Sequence, residues 1–488
     1  MTTLFDPTPV SSIDPHACAI DVPPPSTTVA ALSETLPPLC VTSTEIPWAE
    51  EGSIDWSVIT EMRGVASRRL SSRLGSDTVD INHQHHIGQL IIAELLKEYT
   101  SQALTVGKIP WSPGYQTRMG QALFDSLFRL GRLQTLVDDD TIENVIICGA
   151  DNVWIEDCSG ALTRGQPVAD TDEDLIDFLS FIASRSEVNE RSFSPSEPRL
   201  HLRLDSGARL AAVAWVTPRP SVVIRRHRLS NITLETLVAG GTLSAQAASF
   251  LSEAVRRGAS IVVSGAQGAG KTTMMRALCN EIPAHEMIGT FETEYELHLH
   301  EMPARHPIVH AWEARPGSGE KDSVGHRAGE FTLDEALYDS FRFNLSRQIV
   351  GEVRGKEILA MLKAMQSGSG SLSTTHAHSA EGAIRKLITC AMEAGPHITS
   401  EYATRAVGED LDFIVHMELS TTPTQGGSVR HRWVKEILSV HASDSASGYS
   451  TTRVFSAAQG QQVAQLVCLP PQYARSESPI HTGGLPWP

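Results

Sequence analysis

Residues 264–273 read S-G-A-Q-G-A-G-K-T-T, with Gly265, Gly270, Lys271 and Thr272 at the four fixed positions of a G-x-x-x-x-G-K-[ST] loop. No other feature of the chain restricts its fold so tightly. Such a loop needs a buried strand on one side and a helix N-terminus on the other, so that backbone N–H groups turn inward around bound phosphates. Glycines at 265, 268 and 270 permit that turn. The flanks agree: Ile261, Val262 and Val263 form a β-branched run, and Met274 and Leu278 have helical spacing. The reading is a cradle for a nucleoside triphosphate, ATP with Mg²⁺, lined by Gly265, Ala266, Gln267, Gly268, Ala269, Gly270, Lys271, Thr272 and Thr273. Lys271 would reach the β- and γ-phosphates and Thr272 would hold Mg²⁺.

A chain of 488 residues exceeds one hydrophobic core, so two or three domains are expected. A net charge of −17 speaks against a nucleic-acid-coating role, which needs a basic footprint. Seven cysteines (Cys18, Cys40, Cys148, Cys158, Cys279, Cys390 and Cys468) are odd in number and never in C-x-x-C spacing. They read as reduced thiols of a cytosolic protein rather than a disulfide frame or zinc site. No apolar run is long enough to span a membrane, and no basic n-region marks a secretory signal.

The fold class expected is α/β, with N-terminal helices and an α+β domain followed by a RecA-like P-loop ATPase domain. Residues 1–48 lack Lys and Arg and are dense in Pro, Ser and Thr, a disordered acidic tail. A helical region is expected over 49–135, then short strands and one helix over 136–230, with a linker near 229–233. The ATPase domain spans 231–441, with a helix from Ser244 to Arg257 closed by Gly258 and strands near 260–264, 287–292, 347–353, 371–376 and 412–418. Residues 304–330, rich in His, Gly and charge, read as an exposed loop. Beyond Ser420, Gly426 and Gly427 signal a hairpin, and 442–488 reads as a mostly flexible tail with one more strand near 451–455.

Three further segments sit where an α/β sheet places its ligand. Residues 290–297 read T-F-E-T-E-Y-E-L, residues 351–355 read G-E-V-R-G after an apolar strand, and residues 371–379 read S-L-S-T-T-H-A-H-S. With the P-loop, these resemble the Walker A, Asp-box, Walker B and His-box segments of the type II and type IV secretion ATPase superfamily, most closely its CpaF-like Tad/Flp pilus branch. The resemblance covers roughly residues 105–440, including L-G-R-L and V-W-I-E within 127–157 and R-L-D-S-G-A-R-L-A-A-V at 203–213.

The resemblance implies catalytic roles for Lys271, Glu296, Glu352 and His376. Glu296 would orient the attacking water, Glu352 would hold Mg²⁺ partly through water, and His376 would sense the γ-phosphate. It also implies that an arginine of the N-terminal domain approaches the nucleotide, Arg225 among the candidates Arg203, Arg209, Arg225 and Arg226, while Arg342, Arg347 and Arg354 flank the Walker B segment. One departure stands out, since the family usually has Asp where this chain has Thr293, and a hydroxyl does not replace a carboxylate in a metal shell. The family further implies a homo-oligomeric ring, a hexamer, at the cytoplasmic face of the membrane, working with a polytopic inner-membrane platform protein of a pilus or secretion system. Two alternatives stay open: a conjugation, type IV secretion or nucleic-acid translocating motor, and a nucleotide-switched scaffold with little turnover.

Overall fold

The computed structural model describes residues 52–474, except 75–79, 158–159, 186–192, 227–231, 322–326, 356, 369, 425–426, 445–447 and 459. The expected N-terminal tail, most of the 229–233 linker, Gly426 and residues 475–488 lie outside the described residues.

Helices Trp56–Leu74, Ile81–Thr105 and Pro113–Phe128 come first. Apolar residues at helical spacing, Ile59 and Met62, Ile91 and Leu95, Met119 and Leu123, form their shared core. Ser112 caps the third helix by accepting from the Tyr115 N–H, with Pro113 in its first turn.

The first sheet contains β1 (Ile142–Cys148), β2 (Val153–Asp157), β3 (Leu162–Arg164), β4 (Arg199–Arg203), β5 (Arg209–Val213) and β6 (Ser221–Arg225) in the order β3-β2-β1-β6-β5-β4, all antiparallel. Alternate residues such as Leu200, Leu202, Leu210, Ala212, Val222 and Ile224 are buried. Leu175 and Leu179 of helix Asp172–Arg185 belong to the same core. The register aligns Arg203, Arg209, Arg225, Asn144 and Glu156 as successive cross-strand partners. Direct partners share a face, so these five residues form one polar row across the sheet.

The second sheet contains β7 (Ile261–Gly265), β8 (Ile288–Glu292), β9 (Val309–Glu313), β12 (Arg347–Val353), β13 (Ser371–His376), β14 (Phe413–Thr424), β15 (Gly427–Ala442), β16 (Tyr449–Ser456) and β17 (Gln465–Leu466); β10 (Arg315–Lys321) and β11 (Arg327–Phe331) form a separate hairpin. Its order is β17-β16-β15-β14-β7-β13-β12-β8-β9, parallel from β14 to β9 and antiparallel from β14 to β17. Strand β7 is central and wholly buried. Its Ile261 and Val263 join one core with Phe250, Leu278 and Phe413, while Val262 joins another with Ile358, Met361 and Leu387. The sheet is therefore covered on both faces, which is why β7, β12 and β14 carry the apolar runs Ile261–Val263, Ile349–Val350 and Phe413–Val415, while β13 buries Ser371, Ser373, Thr374 and Thr375. Helices with both sheets bear out the α/β class expected above.

Two regions differ from expectation. The stretch 304–330 is not simply an exposed loop: it supplies edge strand β9, whose Trp312 stacks on Phe291 with ring centroids 5.1 Å apart, and the β10–β11 hairpin. The stretch 442–488 is not mostly flexible through its described part. Strand β16 is the strand expected near 451–455 and extends the sheet; beyond that expectation, β17 pairs with it and Tyr473 buries its ring against Phe250 and Phe413. In both, a few aromatic side chains anchor segments whose Ser, Gly and charge content otherwise reads as loop.

Candidate nucleotide site

The phosphate loop follows β7 and leads into helix Lys271–Cys279. A Cβ at Gly265 would lie 2.5 Å from the Met417 carbonyl oxygen of β14, so no side chain fits there. Gly268 and Gly270 take left-handed φ values of +76° and +87°, turning the chain into the helix. The Lys271 ammonium is buried and donates to the Ala266 carbonyl at 3.0 Å, with His376 Nδ1 at 3.1 Å. Burial pushes its pKa down to about 8, against the pull of Glu352 and Glu296, with Arg225 and Lys386 adding to the depression. Arg225 thus lies near enough for its charge to act on Lys271.

Strand β8 ends at Glu292, which is buried. Its Oε1 accepts from the Glu296 N–H at 2.8 Å and the Leu297 N–H at 3.0 Å, and so shapes the turn that presents Glu296. Burial pushes this carboxyl up to about 7. Gly351 of the neighbouring strand leaves room for it, since a Cβ there would be 3.1 Å from Glu292 Cγ. Thr293, where the resemblance noted above leads one to expect Asp, is exposed. Glu296 accepts from the Thr272 hydroxyl at 2.8 Å and forms an ion pair with Arg209.

Strands β12 and β13 deliver Glu352 and His376 to the same end of the sheet. His376 Nε2 lies 2.8 Å from Glu352 Oε1, short of hydrogen-bond alignment, and Arg354 donates to Glu352 Oε2 at 2.6 Å. Burial, reinforced by the Lys271 ammonium, holds the imidazole below its ordinary pKa. Lys271, His376 and Glu352 are therefore one chain of contacts across the C-terminal ends of adjacent parallel strands, where this class of sheet binds ligands. The Thr272 hydroxyl and the Glu352 carboxylate are hard oxygen donors, and buried Glu352 Oε1 has no hydrogen bond. That donor set fits Mg²⁺.

The arginines separate by partner. Arg209 also donates to the Glu294 and Tyr295 carbonyls, each at 2.9 Å. Arg203 bonds Glu301 at 2.7 Å and lies over the Tyr295 ring. Arg226 supports its own domain through Asp140 and the Asp139 carbonyl. Arg347 pairs with Glu286 and Arg342 with Asp339, and neither contact belongs to the P-loop cluster. His298, His300 and Glu301 lie close enough to share a cation, but the Arg203 guanidinium already sits against Glu301 and His298.

Sequence reasoning missed Arg430, Arg432, Asn144 and Glu156. Arg432 Nε donates to the Gly268 carbonyl at 2.8 Å, and Arg430 pairs with Glu156, whose other oxygen accepts from Asn144 Nδ2 at 2.8 Å. The R-x-R spacing in a strand was the available signal, because it puts both side chains on one face.

An α/β sheet with a phosphate-loop sequence at its central strand, faced by carboxylates from adjoining strand ends, defines the class of P-loop proteins. Within that class, the family described as "Type II/IV secretion system protein" matches residues 130–415, and the chain belongs to this type II/IV secretion system ATPase family. It is 30% identical over 318 residues to the type IV secretion system protein PtlH of Bordetella pertussis, covering 60% of this chain and 89% of that one. To the type IV secretion system protein VirB11 of Brucella melitensis it is 26% identical over 351 residues, covering 65% and 93%. The solved structure of the Legionella pneumophila ATPase DotB aligns over 64% of this chain and 81% of its own at 18% identity, with a TM-score of 0.45.

Proposed function

We propose that the protein is a Mg²⁺-dependent ATP hydrolase, acting as a ring, a hexamer, that powers Tad/Flp pilus assembly or protein secretion. The observation that carries this reading is the convergence of Lys271, Thr272, Glu296, Glu352 and His376 at one end of the parallel sheet. Lys271 would exchange its Ala266 and His376 contacts for phosphate oxygens. Mg²⁺, held by Thr272 and Glu352, would neutralise charge on the β- and γ-phosphates. Glu296, aimed by the two N–H groups that Glu292 holds, would orient the attacking water. His376 would donate to the γ-phosphate, so that its contacts differ between the triphosphate and diphosphate states.

A helical region, an α+β domain and an ATPase domain remain the units of this reading, with the N-terminal sheet closing on the ATPase sheet through its polar row. The boundary expected at 135 moves back, since Leu130 and Leu133 join the first sheet's core, and the one at 441 moves outward, since β16 and Tyr473 join the ATPase sheet and core. No helix among the described residues is long and apolar enough to cross a membrane. A peripheral station at the cytoplasmic membrane, against a polytopic platform protein, accords with the family. A type IV secretion or conjugation motor is the second reading, favoured by the names PtlH and VirB11 carry. DNA-stimulated, salt-sensitive turnover would favour its nucleic-acid form.

Steady-state ATP hydrolysis by wild type and Glu296→Gln tests the proposal. Wild-type turnover with about a hundredfold loss in the variant is expected. Equal background rates in both would leave the scaffold reading standing and sink the motor.

A further inference from the structure

We infer that Arg432 is a positioning residue for the phosphate loop, and that strand β15 ties the loop's setting to the N-terminal sheet through Arg430 and Glu156. The inference rests on the nucleotide-binding reading above and extends it to residues outside the P-loop and the Asp-box, Walker B and His-box segments.

Arg432 faces the loop from β15, paired in register with Leu419 of β14. Its Nε donates to the Gly268 carbonyl at 2.8 Å, and a Cβ at Gly270 would be 3.4 Å from its Cδ. In a trans peptide the carbonyl and the following N–H point in opposite directions. Holding the Gly268 carbonyl outward therefore directs the Ala269 N–H inward, where it donates to the Ala266 carbonyl at 3.3 Å. Lys271 donates to that same carbonyl. Arg432 thus fixes from outside the orientation of a donor that a phosphate oxygen would take over.

Two residues earlier on the same face, Arg430 forms an ion pair with Glu156, whose side chain is only 7% exposed. The Arg430 stem packs against Gly160, ahead of β3, where a Cβ would lie 3.1 Å from Arg430 Cδ. Asn144 bonds the other Glu156 oxygen and is the cross-strand partner of Arg225, the arginine whose charge reaches Lys271. The N-terminal sheet therefore touches the nucleotide site at two places: directly through its arginines, and indirectly through Glu156, Arg430 and the strand that holds Arg432. A shift of that sheet would move β15 and, through Arg432, the loop.

Equilibrium binding of the fluorescent nucleotide mant-ADP with Mg²⁺ to the full chain tests this. Arg432→Met keeps the stem against Gly270 and loses the donor, while Arg432→Lys keeps a donor for the Gly268 carbonyl. The expected result is roughly tenfold weaker binding for Met and less than about threefold for Lys. Met and Lys variants that bind alike, or a Met variant equal to wild type, would overturn the positioning role. Glu156→Gln is expected to weaken binding about threefold alone and to add nothing to Arg432→Met. Fully additive losses would overturn the link to the N-terminal sheet. A wild type that does not bind mant-ADP, with all variants folded, counts against the nucleotide reading instead.

Discussion

The phosphate loop and the seam between the two sheets serve one site by opposite means. The loop is built from backbone: its donors are N–H groups, its shape is set by Gly265, Gly268 and Gly270, and its strand is buried on both faces. The seam is built from side chains, with Arg203, Arg209, Arg225, Asn144 and Glu156 standing in one cross-strand row and meeting Glu301, Glu296 and Arg430. A backbone site tolerates few sequences and so leaves a motif. A row of ion pairs tolerates many, because a carboxylate can arrive from any nearby segment.

The difference is open to attack, and the largest effect belongs to the loop. Lys271→Ala should lower ATP turnover by about a hundredfold or more while the protein still folds, as circular dichroism and steady-state kinetics would report together. Unchanged nucleotide affinity and turnover would remove the loop from the site.

At the seam, Arg209→Gln should lower kcat about tenfold and nucleotide affinity by less than about threefold, because Arg209 holds Glu296 and the carbonyls of its segment. A parallel loss of affinity would instead mean that Arg209 reaches the phosphates itself.

Protonation offers a smaller effect. With the Lys271 pKa at about 8 in the free protein, a bound polyphosphate favours the charged ammonium and raises that value. Calorimetry in buffers of differing ionisation enthalpy should then find about half a proton or more taken up on binding near about pH 8.5, and almost none near about pH 7. Equal uptake at both would place Lys271 away from the phosphates.

The smallest effect concerns Glu292, raised to about 7 by burial. Between the ordinary glutamate value and about 7 the folded protein binds more protons than the unfolded chain. The contribution of this group to stability is therefore present at acid pH and lost as pH rises through about 7. In Glu292→Gln the amide oxygen keeps both N–H bonds and the charge is gone. Its Tm should rise by about 2–4 °C near about pH 8 and hardly change near about pH 5. A Tm that falls at both would mean that the ionised carboxylate is required.

Much of the architecture was legible. Helical spacing marked the three N-terminal helices, a β-branched run marked β7, and Ser244 with Gly258 bracketed helix Ala245–Arg256. Strand β9 and the Tyr473 anchor were not legible, because single aromatic contacts override a loop-like composition without leaving a period. In the site, motif order pointed to Lys271, Thr272, Glu296, Glu352 and His376, and the structure brings these together. The worry over Thr293 came from position alone. Its exposure, and the buried place of Glu292 beneath the turn, could be known only from packing.

The sequence alone determined the phosphate loop and the sheet around it, because backbone geometry at the glycines and the burial of β7 admit few residue types and those types are written consecutively. Only the tertiary structure decided which arginine meets which carboxylate. Arg209 and Glu296, or Arg430 and Glu156, are far apart along the chain and joined by nothing but strand register and the approach of the two sheets. Register leaves no local composition to read, and it is register that turns five scattered polar residues into one edge of a site.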